Sequence, residues 1–211
     1  SEGGASRQDE GARLAVIEAA IESGRPALVD LELATLPDRR GRLLGAARRH
    51  GVPVMLSSHD FERMPDDATL LARLQEMAAA GADAAKIAVM ARDEDDAIRL
   101  LAICRAATEN AAPGPPILAG AARANGVLSP QSGGAGGARA GGARIPLVAM
   151  AMGPFGVITR VLGHRAGSAL TFAAAAAGRG SAPGQLTVAQ LRACWAATSL
   201  GPDPPPGPLP V

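Results

Sequence analysis

With 211 residues, the chain is long enough for one large domain or two small ones, and it can bury a core of aliphatic side chains, since 47% of it is apolar and only 2% aromatic. A formal net charge of +1 gives no electrostatic case for nucleic acid or an anionic membrane as partner. The longest apolar candidate for a membrane span, residues 166–177, is too short and too rich in small residues.

Taken in chain order, segments of helical and strand character alternate. Residues 12–22 read as a helix stopped at Gly24-Arg25-Pro26, and 27–33 as a short strand. A helix over 39–50 ends at Gly51, which suits a C-terminal cap, and a strand follows over 52–57. Residues 66–80 carry Leu70, Leu71, Leu74 and Met77 on one helical face, closed by Gly81. A third strand is expected over 84–90, then a helix over 94–109 capped by Asp93. Residues 111–144 are Gly, Ala, Pro, Ser and Arg without periodicity and read as a flexible insertion. Order is expected to resume with a strand over 146–151, a helix over 156–163, a fifth strand over 168–173 and a helix over 187–197. The stretch 201–211 is Pro-rich and reads as a linker or tail. Ser1 reads as a cut or incomplete end. Five strands, each followed by a helix, imply α/β architecture with a parallel sheet; periodicity leaves barrel and doubly wound sheet open.

Lys86 is the single lysine beside twenty arginines, and it sits within Ala84-Ala85-Lys86-Ile87-Ala88-Val89-Met90. A guanidinium never deprotonates in a protein, whereas a lysine amine can condense with a carbonyl. An apolar strand favours the neutral amine that such chemistry needs. A strand-end lysine snorkelling to solvent accounts equally well for its position taken alone. Other polar groups cluster near strand ends: Asp30 and Glu32 on the first strand, Ser57-Ser58-His59-Asp60-Phe61 after the second, Met150 and Met152 at the fourth, and Ser181 to Gln185 after the fifth. In a βα barrel such groups converge on one cavity. An amine and an imidazole together suit imine formation followed by proton transfer beside a carbonyl. Asp30 and Glu32 fit a hydrogen-bond network as readily as a substrate site. His50, His59 and His164 show no metal-ligand spacing, Cys104 and Cys194 fit free thiols, and no phosphate loop follows a strand. Neither a metal nor a cofactor is expected.

Glu2-Gly3-Gly4, Val29-Asp30-Leu31-Glu32-Leu33, Ser57 to Phe61, Lys86 to Met90, Met152-Gly153, Ile158-Thr159-Arg160, Phe172 and Ser181 to Gln185 occur in the order seen in type I 3-dehydroquinate dehydratase. The chain resembles that Schiff-base family of the shikimate pathway from Glu2 to about residue 197, apart from the insertion. The resemblance implies a (β/α)8 TIM barrel of the class I aldolase type, here with about five βα units matching the family's strands four to eight. It implies dehydration of 3-dehydroquinate to 3-dehydroshikimate through an imine on Lys86. His59 is then general base and general acid, oriented by Glu2. Arg160 clamps the substrate carboxylate, Ser181 and Gln185 belong to the loop that closes over substrate, and Glu32 and Met152 contribute to the substrate site. The missing first three strands carry further substrate-binding groups in the family, so the isolated chain is expected to be weakly active or inactive. By resemblance, a homodimer and, in the parent protein, fusion to shikimate dehydrogenase are both open. The expected location is cytoplasmic, or a plastid for a fused plant- or alga-type parent. A class I aldolase-like enzyme is the competing catalytic reading, and a non-catalytic fragment the other.

Overall fold

A computed structural model describes residues 9–109 and 145–198. Glu2, the 111–144 stretch and the Pro-rich 201–211 segment lie outside the described residues. Four strands, β1 (Val29–Glu32), β2 (Val54–Asp60), β3 (Ala84–Met90) and β4 (Leu147–Met152), form one parallel sheet in the order β1-β2-β3-β4. Among the described residues six helices accompany them: α1 (Glu10–Glu22), α2 (Pro37–His50), α3 (Asp67–Ala79), α4 (Glu94–Glu109), α5 (Val157–Leu162) and α6 (Val188–Thr198). A 3-10 turn, Gly163–Ala166, extends α5.

Local chemistry sets the boundaries. Asp9 opens α1 by accepting the N–H groups of Gly11 and Ala12, and Asp66 opens α3 by accepting that of Thr69 at 2.8 Å. The Thr69 bonds hold the Asp66 carboxyl below its ordinary range. Asp93 does the same service for α4 through Asp96 N at 2.9 Å. Gly51, at φ 66°, closes α2 in the left-handed conformation expected of it.

Side chains alternate between the two faces of a strand, and registered residues on parallel neighbours share a face. Leu31, Leu56, Ala85, Ile87, Val89, Ala149 and Ala151 therefore face the helices, where Ile21, Leu43, Leu70, Met77 and Leu100 complete the main core. A fully buried Leu or Ile of this kind contributes roughly 1.5–3 kcal/mol relative to exposure. Met55, Ala84, Ala88, Val148 and Met150 form a second, smaller cluster on the opposite face with Leu28 and Leu170. That face carries the polar residues singled out above.

Two departures from expectation bear on the site. The second strand continues through His59 to Asp60, so His59 lies on the strand rather than after it. Asp60 ends it by accepting the N–H groups of Glu62 and Arg63. The fifth strand does not form. Residues 168–173 approach β4, but the one backbone bond between them is Ala169 N donating to Leu147 O at 2.8 Å, beside a side-chain bond from Ser168 Oγ to Ala149 O at 3.5 Å. The next N–H groups on that edge are taken by hydroxyls, Ala149 N by Ser168 Oγ at 3.1 Å and Ala151 N by Thr159 Oγ1 at 2.8 Å. These two donors are thus taken from a backbone ladder, and the alanines that follow have little strand preference. The α/β barrel-type architecture itself stands, with four strands in the sheet.

Candidate active site

Lys86 is registered with Ser57 on β2, and Ser57 with Glu32 on β1; one pleat earlier, Asp30 is registered with Met55. His59 follows Ser57 by two residues and so shares this face with Lys86. Lys86 is 9% exposed. Its ammonium is not left among apolar groups: Nζ lies 2.8 Å from Asp30 Oδ2 and 4.6 Å from the centre of the Phe172 ring. Since β1 and β3 are separated by β2, the lysine crosses over β2 to reach that carboxylate. Ser57 lies beneath this crossing, fully buried, and its Oγ has no hydrogen-bond partner among the described residues.

His59 is half-buried, with its ring 6.0 Å from that of Phe61 and inclined to it by 21°. Glu32 Oε2 receives Arg13 Nη2 from α1 at 3.3 Å, so its charge is matched within the chain. Met150 and Met152 are buried on the same face of β4.

Arg160 reaches the site from α5. It is 2% exposed, and Nη1 donates to Phe172 O at 3.1 Å and lies 3.4 Å from Met150 Sδ. Nε and Nη2 have no partner among the described residues. Burial lowers the pKa of this guanidinium from its ordinary value, yet arginine remains a cation in proteins. A buried, half-satisfied guanidinium offers its remaining N–H donors to a carboxylate.

The 181–185 loop docks at the C-terminal end of β4, where Gly153 N donates to Pro183 O at 3.1 Å. Gly153 and Gly184 both have positive φ, and a Cβ on Gly184 would stand 2.2 Å from Gly153 O. Only glycine permits this approach. Gln185 Oε1 accepts Ser181 N at 2.7 Å and lies 3.3 Å from Ser181 Oγ, which ties the loop to itself. A cleft lined by Gly51, Pro53, Gly81 and Asp83 lies at the opposite, N-terminal end of the strands, away from all these groups.

The family model for type I 3-dehydroquinase matches residues 1–139 and 137–200. The chain belongs to the type I 3-dehydroquinase family. It is 34% identical over 191 residues to the 3-dehydroquinate dehydratase of Salmonella paratyphi B, covering 90% of this chain and 63% of that protein. The chain thus spans a little under two thirds of the length of the curated relatives it matches. Among solved structures, the type I 3-dehydroquinate dehydratase of Clostridium difficile superposes with a TM-score of 0.70 at 27% identity, covering 92% of this chain and 64% of that one. The enzyme from Geobacillus kaustophilus gives 0.68 at 30% identity, covering 91% and 62%. A dehydroquinate dehydratase and shikimate dehydrogenase from S. pombe shares the fold, with a TM-score of 0.63 at 19% identity and coverage of 93% and 30%.

Within the chain, the sheet brings Lys86, His59, Glu32 and Met152 onto one face, Arg160 joins them from α5, and Ser181 and Gln185 stand in the loop at the end of β4. Sequence reasoning left Arg13, the Asp30 partnership and the unpartnered Ser57 unassigned. Arg13 carries no signal of its own, being one arginine among twenty. Among the described residues no cluster of His, Cys, Asp or Glu has the arrangement to hold a metal ion, and no helix is long and apolar enough to cross a membrane.

Proposed function

We propose that the protein dehydrates 3-dehydroquinate to 3-dehydroshikimate, the third step of the shikimate pathway, through an imine on Lys86. The observation that carries this reading is the shared face of β2 and β3: the chain's one lysine and His59 stand two residues apart in register on adjacent strands. Nζ condenses with the ring ketone, giving an iminium and releasing water. The iminium draws electrons from the neighbouring C–H bond, and His59 removes that proton as general base. The electron pair moves into the ring and expels the hydroxyl on the next carbon, to which His59 returns the proton as general acid; water then hydrolyses the product imine, freeing 3-dehydroshikimate and regenerating Lys86. Glu2, outside the described residues, orients His59 in this scheme. Arg160 takes the substrate carboxylate with its unpartnered Nε and Nη2. Ser181 and Gln185 exchange their mutual contact for the substrate when the loop closes and excludes water. Glu32, held by Arg13, and Met152 complete the substrate wall.

The class I aldolase-like alternative shares the imine but asks for a phosphate-binding loop, and none was recognisable in the sequence. Intact mass after borohydride reduction with 3-dehydroquinate tests the proposal. A ligand-derived adduct in the wild-type chain and none in Lys86→Arg is expected. An adduct that persists in Lys86→Arg would sink it. A folded wild-type chain that forms no adduct would likewise reject the imine reading for this chain.

A further inference from the structure

We infer that Asp30 is the counter-ion of the imine nitrogen and keeps it protonated, an inference that rests on the Lys86 imine reading. The condensation conserves charge: an ammonium and a ketone give a protonated imine and water, so two N–H protons leave with the carbonyl oxygen and the third remains on nitrogen. The positive charge present on Nζ at the start is therefore still on Nζ at the end. The carboxylate 2.8 Å from that atom stabilises both charged forms over the neutral imine. The Phe172 ring, with its centre 4.6 Å from Nζ, acts in the same direction through its electron-rich face. Protonation matters because only the charged imine is a strong electron sink.

No other described group on this face is as well placed for the task. Glu32 shares Asp30's strand but pairs with Arg13 from α1. Arg160 from α5 is a cation, and His59 on β2 is occupied by the proton transfers of the proposed reaction. Among the pairs on this face, only the Asp30 carboxylate contacts the reacting nitrogen, and the crossing of Lys86 over β2 places it there. The side chain of Asp30 is 37% exposed, so its effect belongs to the chemistry at Nζ more than to the stability of the fold.

Parallel trapping with two reductants separates this role from a structural one. Borohydride reduces neutral and protonated imines alike, whereas cyanoborohydride reduces the protonated form. Wild-type and Asp30→Asn chains are incubated with 3-dehydroquinate between pH 6 and 9, and the Lys86 adduct is quantified by intact mass. The ratio of cyanoborohydride to borohydride adduct at pH 8 is expected to fall about tenfold in Asp30→Asn, with its pH profile displaced to lower pH. Asp30→Glu is expected to recover most of the ratio. A borohydride adduct in Asp30→Asn with an unchanged ratio overturns the inference while leaving the imine intact. Absence of any adduct from the wild-type chain rejects the imine reading and the counter-ion with it. Should Asp30→Asn fail to fold by circular dichroism, Phe172→Leu carries the test, with a smaller fall of the ratio expected and no change overturning the role.

Discussion

Arg160 Nη1 donates to the backbone carbonyl of Phe172 across 3.1 Å, while the ring of the same Phe172 lies over Lys86 Nζ. One residue thus links the cation proposed to bind the substrate carboxylate to the cation proposed to attack its ketone. Holding Arg160 in this place is costly, since two of its three nitrogens are buried without partners among the described residues. Arg160→Met is expected to leave the folded chain as stable or to raise its melting temperature, because a buried charge is replaced by an apolar side chain of similar length. The same variant is expected to bind 3-dehydroquinate about 10- to 100-fold more weakly, as befits the loss of a charged hydrogen bond of about 1.5–3 kcal/mol. Thermal unfolding and titration calorimetry measure the two. A fall in stability with unchanged binding would contradict both expectations.

Ser168 supplies a hydroxyl where a fifth strand would supply a carbonyl. Its Oγ receives Ala149 N at 3.1 Å and donates to Leu170 O at 3.1 Å, and the residue is buried. Ser168→Ala removes the partner of a buried N–H, and a loss of about 1–3 kcal/mol in urea unfolding is expected. Hydrogen exchange should quicken at Ala149 and remain slow at Ile87, in the middle of β3. Unchanged protection at Ala149 would show that another acceptor takes over.

This hydroxyl edge also explains what the sequence could reveal and what it could not. Strands β1 to β4 were legible because unbroken runs such as Ala84 to Met90 match strands buried on both faces. The starts of α3 and α4 were legible because Asp66 and Asp93 act through neighbours three residues away. The failed strand over 168–173 was not, since Ser168 and Thr159 compete for β4 from separate parts of the chain. Likewise, Lys86 stood out by its rarity, whereas its approach to Asp30 depends on the register of three strands. Local signals survive in sequence; pairings that need the assembled sheet do not.

Gly184 and Gly153 meet so closely that the first cannot carry a side chain. Gly184→Ala combines an unfavourable positive φ of 71° with a Cβ 2.2 Å from Gly153 O. The expected result is release of the 181–185 loop, at a local cost of about 1–3 kcal/mol, with faster amide exchange at Gly153. Imine trapping on Lys86 should persist, because the lysine is held by β3. Equal exchange at Gly153 in variant and wild type would show the loop to be anchored elsewhere.

Cys104, fully buried on the inner side of α4, provides a pH probe of the core. Burial pushes its thiol up to about 11 from an ordinary value of 9.0. The folded state therefore favours the neutral thiol. This contribution is fully present below about pH 9, and it is lost as pH rises towards 11 and the unfolded thiol ionises first. Between pH 8 and pH 11 the wild-type chain should lose up to about 2–3 kcal/mol more stability than Cys104→Ala, because each pH unit separating the folded from the unfolded thiol is worth about 1.4 kcal/mol. Urea unfolding at both pH values measures the difference. Parallel pH dependence in the two proteins would mean that the thiol opens to solvent before it ionises. Iodoacetamide supplies an independent check at pH 8: Cys194, which is only half-buried, should react long before Cys104 in the folded chain.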